Sequence, residues 1–330
     1  MIEPGRKIYV TGVAGLIGSN VARALLESGH QVIGADNFWR GTRANIEPFL
    51  PQPNFEFRHA DLTADHAWYS DMQAQDALIH IADIVAGIGY VFSHEWTVFQ
   101  KNLLINSNVA RVVAERAPER LIYLGTACSY PQQLQRSVTA SELAETDKFP
   151  ADPESGYGWS KLIGEIEFRL ATKGSRTKLI VLDLHNVYGW PSAYKDSTAQ
   201  VIPSLVYRAV CTPDKKLTVW GDGRQGRAFL HVSDAVSAIV LALGYSGTIS
   251  AYMIGPGSCT SIAEVARIIQ AHPKIDVKEI AFDASKPVGD IGRFANSALA
   301  QRELGWSPKM DLVTGIHGLI DQIINDRDHP

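Results

Sequence analysis

Cysteine is scarce in this 330-residue sequence, and its placement excludes a disulfide framework. The three cysteines, Cys128, Cys211 and Cys259, are widely spaced and odd in number. The paired Cys or Cys/His spacings that bind zinc do not occur. We therefore expect no metal site, and we expect the protein to work in the reducing cytoplasm.

Long apolar runs and an excess of one charge are also missing. No run approaches the ~20 apolar residues that span a bilayer, and residues 1–7 lack the apolar core of a signal peptide. The net charge is −4, so no broad attraction to nucleic acid or to an anionic membrane is expected. We expect a soluble globular protein that binds neither nucleic acid nor membrane.

Short β-branched runs alternate with helical patterns through the first half of the chain. Apolar residues recur at helical spacing over residues 19–28, a segment that ends before Gly29. The predicted strands are residues 7–11, 31–35, 55–58, 77–81, 121–124 and 179–184. Strands that alternate with helices predict the α/β class, with a Rossmann-type, doubly wound parallel sheet.

A glycine-rich segment joins the first predicted strand to the first helix. Gly12, Gly15 and Gly18 recur at three-residue intervals. The first permits a tight turn, the second lets backbone amides approach a pyrophosphate, and the third lets the helix pack on the strand. The free N–H groups of the helix start, at Leu16 and Ile17, then point toward negative charge. This strand–turn–helix context predicts a dinucleotide site.

Acidic residues after the second and third strands predict which dinucleotide binds. Asp36 can accept hydrogen bonds from both ribose hydroxyls of NAD, and it would repel the 2′-phosphate of NADP. Asp61 and Leu62 are placed to contact the adenine. NAD is therefore the predicted cofactor, although Arg40 leaves NADP open as an alternative.

The pattern changes after Asn186, where glycine and proline interrupt the alternation. The predicted helices in this part are residues 199–209, 232–243, 261–271 and 297–304. We assign residues 1–185 to an NAD-binding Rossmann domain, to which residues 220–250 return. Residues 186–330 mainly form a smaller, C-terminal substrate-binding lobe.

Tyr157 and Lys161 lie four residues apart, which on a helix puts them on one face. A tyrosine with its ordinary pKa near 10 is a poor base at neutral pH. An ammonium one turn away and a positive nicotinamide favour the phenolate, which can take a proton from a substrate hydroxyl while the adjacent carbon gives up hydride. Together with the glycine turn, the pair predicts a catalytic function.

These motifs together resemble the extended short-chain dehydrogenase/reductases, and among them the NAD-dependent sugar-nucleotide epimerases and dehydratases. The resemblance runs from residue 7 to about residue 308 and includes residues 185–189, 220–224, 227–234 and 303–308. It implies that Tyr157 and Lys161 oxidise the sugar at C4 and that Lys161 bonds the nicotinamide ribose. It also implies that the Thr126 hydroxyl helps to hold the sugar hydroxyl.

The residues after Thr126 indicate the fate of the oxidised sugar. Dehydratases of the family carry an Asp-Glu pair there, whereas this chain has Ala127 and Cys128. A cysteine at this position resembles the GDP-mannose 3,5-epimerases, in which a cysteine and a lysine on opposite faces of the ring exchange C–H protons. The resemblance implies these roles for Cys128 and Lys195.

The resemblance also implies the substrate contacts and the assembly. It places Gly87 and Gly89 next to the sugar. It assigns Asn186, Arg227 and Arg293 to the diphosphate, which suits the planar fork of arginine. Helices near residues 97–116 and 157–171 are expected to form a four-helix bundle in a homodimer.

Two departures leave alternatives open. Residues 196–200 lack a glycine-rich, basic stretch, and residues 36–38 are more similar to the UDP-sugar 4-epimerases and decarboxylases. The predicted function is an epimerase acting at C3 and/or C5 of GDP-mannose or another GDP-sugar, such as a heptose. The alternatives are a 4-epimerase or C4 dehydrogenase on a UDP-, CDP- or GDP-sugar, and a non-catalytic NAD-binding regulator.

Overall fold

The structure is a computed structural model, and it describes residues 3–64, 67–137, 142–286 and 291–328. The strands are β1 (Lys7–Thr11), β2 (Gln31–Asp36), β3 (Phe55–His59), β4 (Ala77–His80), β5 (Arg120–Thr126), β6 (Lys178–Leu184), β7 (Asn186–Tyr188), β8 (Lys216–Trp220), β9 (Gly226–Arg227), β10 (Phe229–His231), β11 (Ala251–Ile254), β12 (Thr260–Ser261) and β13 (Glu279–Asp283). The helices are α1 (Leu16–Glu27), α2 (Ile88–Ser93), α3 (Glu95–Arg116), α4 (Gly156–Thr172), α5 (Val201–Cys211), α6 (Val232–Gly244), α7 (Ile262–Gln270), α8 (Ala298–Leu304) and α9 (Leu312–Asp328).

The central sheet has seven parallel strands in the order β11-β6-β5-β4-β1-β2-β3. The order reverses between β1 and β4, which are neighbours in the sheet although β2 and β3 separate them in the chain. Thr11 at the end of β1 pairs in register with Ala35 of β2 and His80 of β4. The carboxyl ends of these strands therefore meet at a topological switch point, where open parallel sheets bind ligands.

Both faces of this sheet are buried, which confirms the predicted doubly wound architecture. Val10 and Ile122 belong to the core on the side of α1 and α6. Tyr9 and Tyr123 belong to the core on the opposite side, which includes buried residues of α3 and α4. Consecutive residues of one strand contribute to different cores because side chains alternate across a sheet.

The C-terminal lobe packs α5, α7 and α9 around its own core. The parallel pair β8 and β13 lies beside this core. Helix α9 follows the last helix that the sequence predicted. The chain returns to the Rossmann domain through α6, which contacts α1, and through β11, which pairs with β6.

Membrane-spanning helices and metal clusters are absent from the described ranges. None of the helices there combines the length and the apolar character that crossing a bilayer requires. Those ranges also contain no group of three or more His, Cys, Asp or Glu side chains that could hold a metal ion. Cys128, Cys211 and Cys259 are free thiols.

Candidate active site

A cavity of about 860 Å³ lies between the carboxyl edge of the central sheet and the C-terminal lobe. The turn after β1 and the end of β2 line one end of it. Helix α4 and the residues after β4 and β5 line its middle, while α5, β8 and α7 line the far end. A ligand that fills this cavity therefore touches both lobes.

At two positions in the turn after β1, the backbone leaves no room for any residue but glycine. Gly12 has a φ angle of +72°, and a Cβ on it would lie 2.9 Å from the backbone nitrogen of Ala82. A Cβ on Gly18 would lie 2.0 Å from the carbonyl oxygen of Gly12. Both glycines thus keep the turn tight against β4 and α1.

Helix α1 presents its first turn to the cavity. Gly15, Leu16 and Ile17 line the cavity, and this first turn contains no acidic side chain. A Cβ on Gly15 would have only an ordinary 3.4 Å contact, so packing does not require glycine there. The bare backbone and the free N–H groups fit the pyrophosphate of a bound dinucleotide.

Asp36 lines the cavity beside this turn. Its carboxylate oxygens accept hydrogen bonds from the backbone amides of Ala14 at 2.9 Å and Phe38 at 2.8 Å. Burial raises the pKa of the carboxyl, and these bonds oppose that effect. Each oxygen keeps a further lone pair, so the carboxylate can still accept bonds from ribose hydroxyls.

Asp61 and Leu62 line the same end of the cavity, directly after β3. Asp61 Oδ1 accepts hydrogen bonds from the backbone amide and the hydroxyl of Thr63, at 3.0 and 2.8 Å. The hydrogen bond from the Thr63 backbone amide is the largest of the influences that lower the pKa of Asp61. This ionised, anchored side chain and the buried Leu62 form the wall expected to contact adenine.

Tyr157 and Lys161 line the cavity from α4, and Ser155 Oγ caps the helix by accepting from the amide of Gly158 at 3.3 Å. Lys161 Nζ forms an ion pair with Asp83 Oδ2 at 2.8 Å. Burial, and then the charge of Asp83, raise the pKa of Tyr157 well above its usual 10. Asp83 thus opposes the effect predicted from the sequence, in which the Lys161 ammonium and a positive nicotinamide favour the phenolate.

Thr126 and Cys128 lie on one short turn at the end of β5. The amide of Cys128 donates to Thr126 Oγ1 at 3.2 Å, and Thr126 is close enough to Tyr157 for a hydrogen bond that lowers the pKa of the phenol. A Cβ on Gly158 would lie 2.2 Å from the carbonyl oxygen of Cys128. The start of α4 therefore packs directly on this turn and brings Thr126, Cys128 and Tyr157 to one place.

Arg293 joins this turn to the C-terminal lobe. Its Nη1 donates to Cys128 Sγ at 3.3 Å and to Gln135 Oε1 at 3.1 Å, and its Nη2 donates to Asn186 Oδ1 at 3.3 Å. Arg227 lines the same region and is also buried. The positions predicted for diphosphate contact are thus gathered at the cavity, next to the thiol.

Gly87 and Gly89 line the cavity, and packing explains why both are glycine. The amide of Gly87 donates to Thr198 O at 3.0 Å, and a Cβ on it would lie 2.4 Å from Ala199 O. A Cβ on Gly89 would lie 3.3 Å from the ring of Trp220. The loop after β4 is therefore closely covered by the C-terminal lobe.

Lys195 is the one predicted site residue that the structure does not bring to the cavity. Its side chain is 55% exposed, and Nζ lies 3.4 Å from Asp326 Oδ2 on α9. The preceding residue, Tyr194, is buried in the lobe core and also bonds Asp326. Lys195 therefore lies at the surface beside Tyr194 and Asp326, and Asp196 lines the cavity instead.

Sequence reasoning missed several cavity residues. Asp83 is an isolated charge in the apolar run that follows β4, a sequence feature that could have identified it. Trp220 lies in residues 220–224, a segment that was singled out for resemblance alone, and Gln225 directly follows that segment. Arg208 is on α5 and, like them, lines the far end of the cavity.

A glycine turn whose shape fits a pyrophosphate and a Tyr–Lys pair that lines the same cavity define a Rossmann-type protein of the short-chain dehydrogenase/reductase class. Within this class, the chain belongs to the NAD dependent epimerase/dehydratase family, whose sequence model matches residues 8–255. The predicted family is thereby confirmed, and so is NAD as the cofactor.

Two curated relatives illustrate the range of the family. The chain is 28% identical over 312 residues to GDP-mannose 3,5-epimerase of Arabidopsis thaliana, covering 94% of this chain and 80% of that protein. It is 26% identical over 324 residues to UDP-glucuronic acid decarboxylase 1 of Xenopus tropicalis, covering 98% and 73%. The two relatives are named for different reactions on different sugar nucleotides.

Solved structures share the fold at lower identity. The UDP-glucose 4-epimerase of Thermotoga maritima, solved with UDP-glucose, superposes with a TM-score of 0.85 at 22% identity and covers 97% of this chain and 99% of that one. The UDP-glucuronic acid 4-epimerase of Bacillus cereus, solved with UDP-glucuronic acid and NAD, gives 0.82 at 24% with the same coverage.

Proposed function

We propose that this protein is a sugar-nucleotide epimerase that oxidises the sugar transiently at C4 and exchanges a proton at C3 or C5 through Cys128. The observation that carries the proposal is the position of the thiol. It lies in the cavity two residues after Thr126, within 3.3 Å of the Arg293 guanidinium.

The first step in this proposal belongs to Tyr157. As the phenolate, Tyr157 takes the proton of the sugar 4-hydroxyl, which Thr126 holds by a hydrogen bond, and becomes the neutral phenol. Bound NAD would supply the hydride acceptor for the oxidation at C4 and the hydride donor for the later reduction. The Gly12 turn, the start of α1 and Asp36 hold the cofactor, while Lys161 bonds the nicotinamide ribose.

The second step belongs to Cys128. A ketone at C4 acidifies the neighbouring C–H bonds, and the thiolate removes the proton of one of them. The Arg293 cation, which bonds the sulfur, balances the charge of the thiolate before the transfer. The electron pair of the C–H bond passes to the C4 oxygen, which becomes an enolate. A proton that returns from Cys128 to the same face restores the substrate, whereas a proton that solvent water delivers to the opposite face inverts the carbon.

The substrate in this proposal is a nucleoside diphosphate sugar, with a GDP-sugar favoured. Arg227 and Arg293, with Asn186, supply the donors that a diphosphate requires. The likeness to a GDP-mannose 3,5-epimerase supports guanosine as the nucleoside. Lys195 has no part in the proposal because it is paired with Asp326 outside the cavity.

The direct test is solvent exchange. The enzyme is incubated with GDP-mannose in deuterated water, and the sugar is examined by mass spectrometry and NMR. We expect deuterium at C3 or C5 and an inverted product. Parallel incubations with UDP-glucose, UDP-glucuronic acid and CDP-glucose establish the nucleoside. Turnover without any deuterium on carbon would contradict the proton-exchange step.

Replacing Cys128 with Ala is expected to lower deuterium exchange by about 100-fold or more, because no other base replaces the thiolate. The oxidation at C4 should persist, so bound cofactor still becomes reduced on addition of substrate. Cys211→Ala is the matched control, since Cys211 is an exposed thiol on α5. Full exchange in the Cys128 variant would remove the cysteine from the mechanism.

The second candidate function is a sugar-nucleotide 4-epimerase. The position of Lys195 outside the cavity favours this candidate, because a 4-epimerase needs no second base. In such an enzyme the ketone is reduced from the other face and no C–H proton leaves. The same incubation separates the two candidates, because a 4-epimerase inverts C4 and leaves solvent deuterium out of the sugar.

We also propose that the protein is a homodimer held together by α3 and α4. These helices pack on each other and expose large apolar side chains on their outer faces: Trp96 at 69%, Leu104 at 45%, Ile166 at 41% and Leu170 at 64%. Clusters of this kind on a soluble protein mark interaction surfaces. A second copy would bury both helices in a four-helix bundle.

Replacing Leu170 with Glu is expected to convert the dimer to a monomer, because it places a charge within the apolar contact. Light scattering coupled to gel filtration should give twice the chain mass of 36.1 kDa for the native protein and a single chain mass for the variant. Val313→Glu alters a side chain that is 46% exposed on α9 and should stay dimeric. A native protein of single chain mass would refute this assembly.

A further inference from the structure

The carboxylate of Asp83 and the ammonium of Lys161 form a buried ion pair within the cavity wall. Their side chains are 5% and 4% exposed, and Asp83 Oδ1 has no hydrogen-bond partner among the described residues. Lys161 Nζ also lies 4.4 Å from the centre of the Tyr123 ring. A buried pair costs desolvation energy, so its presence beside a catalytic residue calls for an explanation.

The backbone on both sides of Asp83 is fixed by buried side chains. Thr11 Oγ1 accepts from the amides of Ile81 at 3.0 Å and Ala82 at 3.2 Å. On the other side, Asn102 accepts from the amide of Ile84 at 2.7 Å and donates to its carbonyl oxygen at 3.1 Å. Asp83 is therefore held in place by β1 and α3, independently of Lys161.

Tyr157 faces charged or titratable groups from several elements. Asp83 approaches from the loop after β4, Cys128 from the turn after β5, Arg293 from the C-terminal lobe and Arg40 from the loop after β2. On the same helix, Lys161 is paired with Asp83, which balances its charge. The buried His80 is neutral, because burial lowers its pKa to about 3.

We propose that Asp83 is a positioning residue for the hydride step. It anchors the ammonium of Lys161 in the cavity and balances the positive charge of that ammonium near Tyr157. This inference rests on the proposed roles of Tyr157 and Lys161. Without the anchor, the flexible lysine stem would leave the position from which it can bond the nicotinamide ribose. Without the lysine, the carboxylate would stand unpaired beside the phenol.

Stability measurements test the pair without any reference to turnover. Asp83→Asn and Lys161→Met each leave one partner buried and unpaired, and each should lower the melting temperature by roughly 5 °C. The double variant removes both charges and should melt above either single variant. A double variant whose losses simply add would show that the two side chains do not act as a pair. The double variant also provides folded protein if a single variant fails to fold.

NAD affinity and the pH profile test the positioning role. Asp83→Asn, measured by calorimetry after removal of bound cofactor, should weaken NAD binding about tenfold because the lysine loses its anchor. The charge of Asp83 raises the pKa of Tyr157, and the phenolate is the active base. The rate of cofactor reduction falls at low pH as Tyr157 becomes protonated. Removing the charge of Asp83 should shift this fall by about one pH unit to lower pH. Lys161→Met should move it to higher pH.

Asp276→Asn is the matched control, because it removes the same charge from an exposed pair with Lys215 and Lys278. The inference is overturned if Asp83→Asn retains native NAD affinity and a native pH profile. If no nucleotide sugar is turned over, the proposed function fails. The melting temperatures and NAD affinities would still decide whether Asp83 and Lys161 work as a pair.

Discussion

Replacing Tyr157 with Phe is expected to reduce turnover by about 1,000-fold, which is within the usual contribution of a positioned general base. The ring keeps its packing against the core that contains Val98 and Phe168, so the fold should be unchanged. The oxygen that accepts the proton of the sugar hydroxyl is lost. The measurement is the initial rate of product formation, together with the absorbance of reduced cofactor at 340 nm.

Tyr69→Phe is the control for this experiment. Tyr69 is also a buried tyrosine, and its hydroxyl donates to Glu115 at 3.3 Å on the far side of α3. Its loss should leave turnover within about twofold, the scale of a weak hydrogen bond. Full activity of the Tyr157 variant would instead favour the non-catalytic, NAD-binding regulator. In that case the cavity would serve recognition alone.

Replacing Gly18 with Ala is expected to lower NAD affinity by at least about 100-fold, which corresponds to the loss of two charge-assisted hydrogen bonds. The added Cβ would lie 2.0 Å from Gly12 O and 2.8 Å from Val13 Cα. Because both contacts are backbone, the turn itself must move away from α1. The amides of Leu16 and Ile17 then no longer converge on the pyrophosphate. Overpacking of this kind also costs about 1–3 kcal/mol of stability.

Gly318→Ala is the control that separates the clash in the turn from the effect of any glycine-to-alanine change in a helix. Gly318 lies on α9, and nothing lies within 4 Å of the position that an added methyl group would occupy. Alanine there should leave NAD affinity unchanged and raise stability by about 0.5–1 kcal/mol. Calorimetric titration with NAD and thermal unfolding measure both effects. Native affinity in the Gly18 variant would mean that the turn does not bind the cofactor.

The reaction of the C4 ketone depends on side chains from separate parts of the chain. Thr126, Cys128 and Tyr157 meet because α4 begins against the turn at the end of β5. Arg293 reaches this point from more than a hundred residues away in the chain, and it is buried there. The thiol therefore meets a cation that its sequence neighbours do not supply.

The Rossmann domain could be predicted from the sequence because its determinants are local. The glycines of the turn follow directly after an apolar strand, and the Tyr–Lys pair needs only the four-residue spacing of one helix. Predicted strand limits agree closely with the observed ones, as for residues 179–184 against Lys178–Leu184. Helix α9 was missed, since the last predicted helix stops at Gly305.

Lys195 shows the limit of prediction from local sequence. The resemblance to the GDP-mannose 3,5-epimerases implied that Lys195 faces the substrate. The direction of a loop side chain depends on its tertiary contacts, and here Lys195 pairs with Asp326 on α9. Conversely, Asp83 lies in an apolar segment and contacts Lys161 across the sheet edge, a contact that no local pattern encodes.

The sequence by itself determined the fold class, the cofactor and the Tyr157–Lys161 pair, because each of these depends on periodicity and spacing within a short segment. The tertiary structure decided which charges surround that pair. It placed Arg293 beside Cys128, Asp83 beside Lys161, and Lys195 outside the cavity. Electrostatic interactions depend on distance in space and on burial, and only the packing of the folded chain sets these quantities.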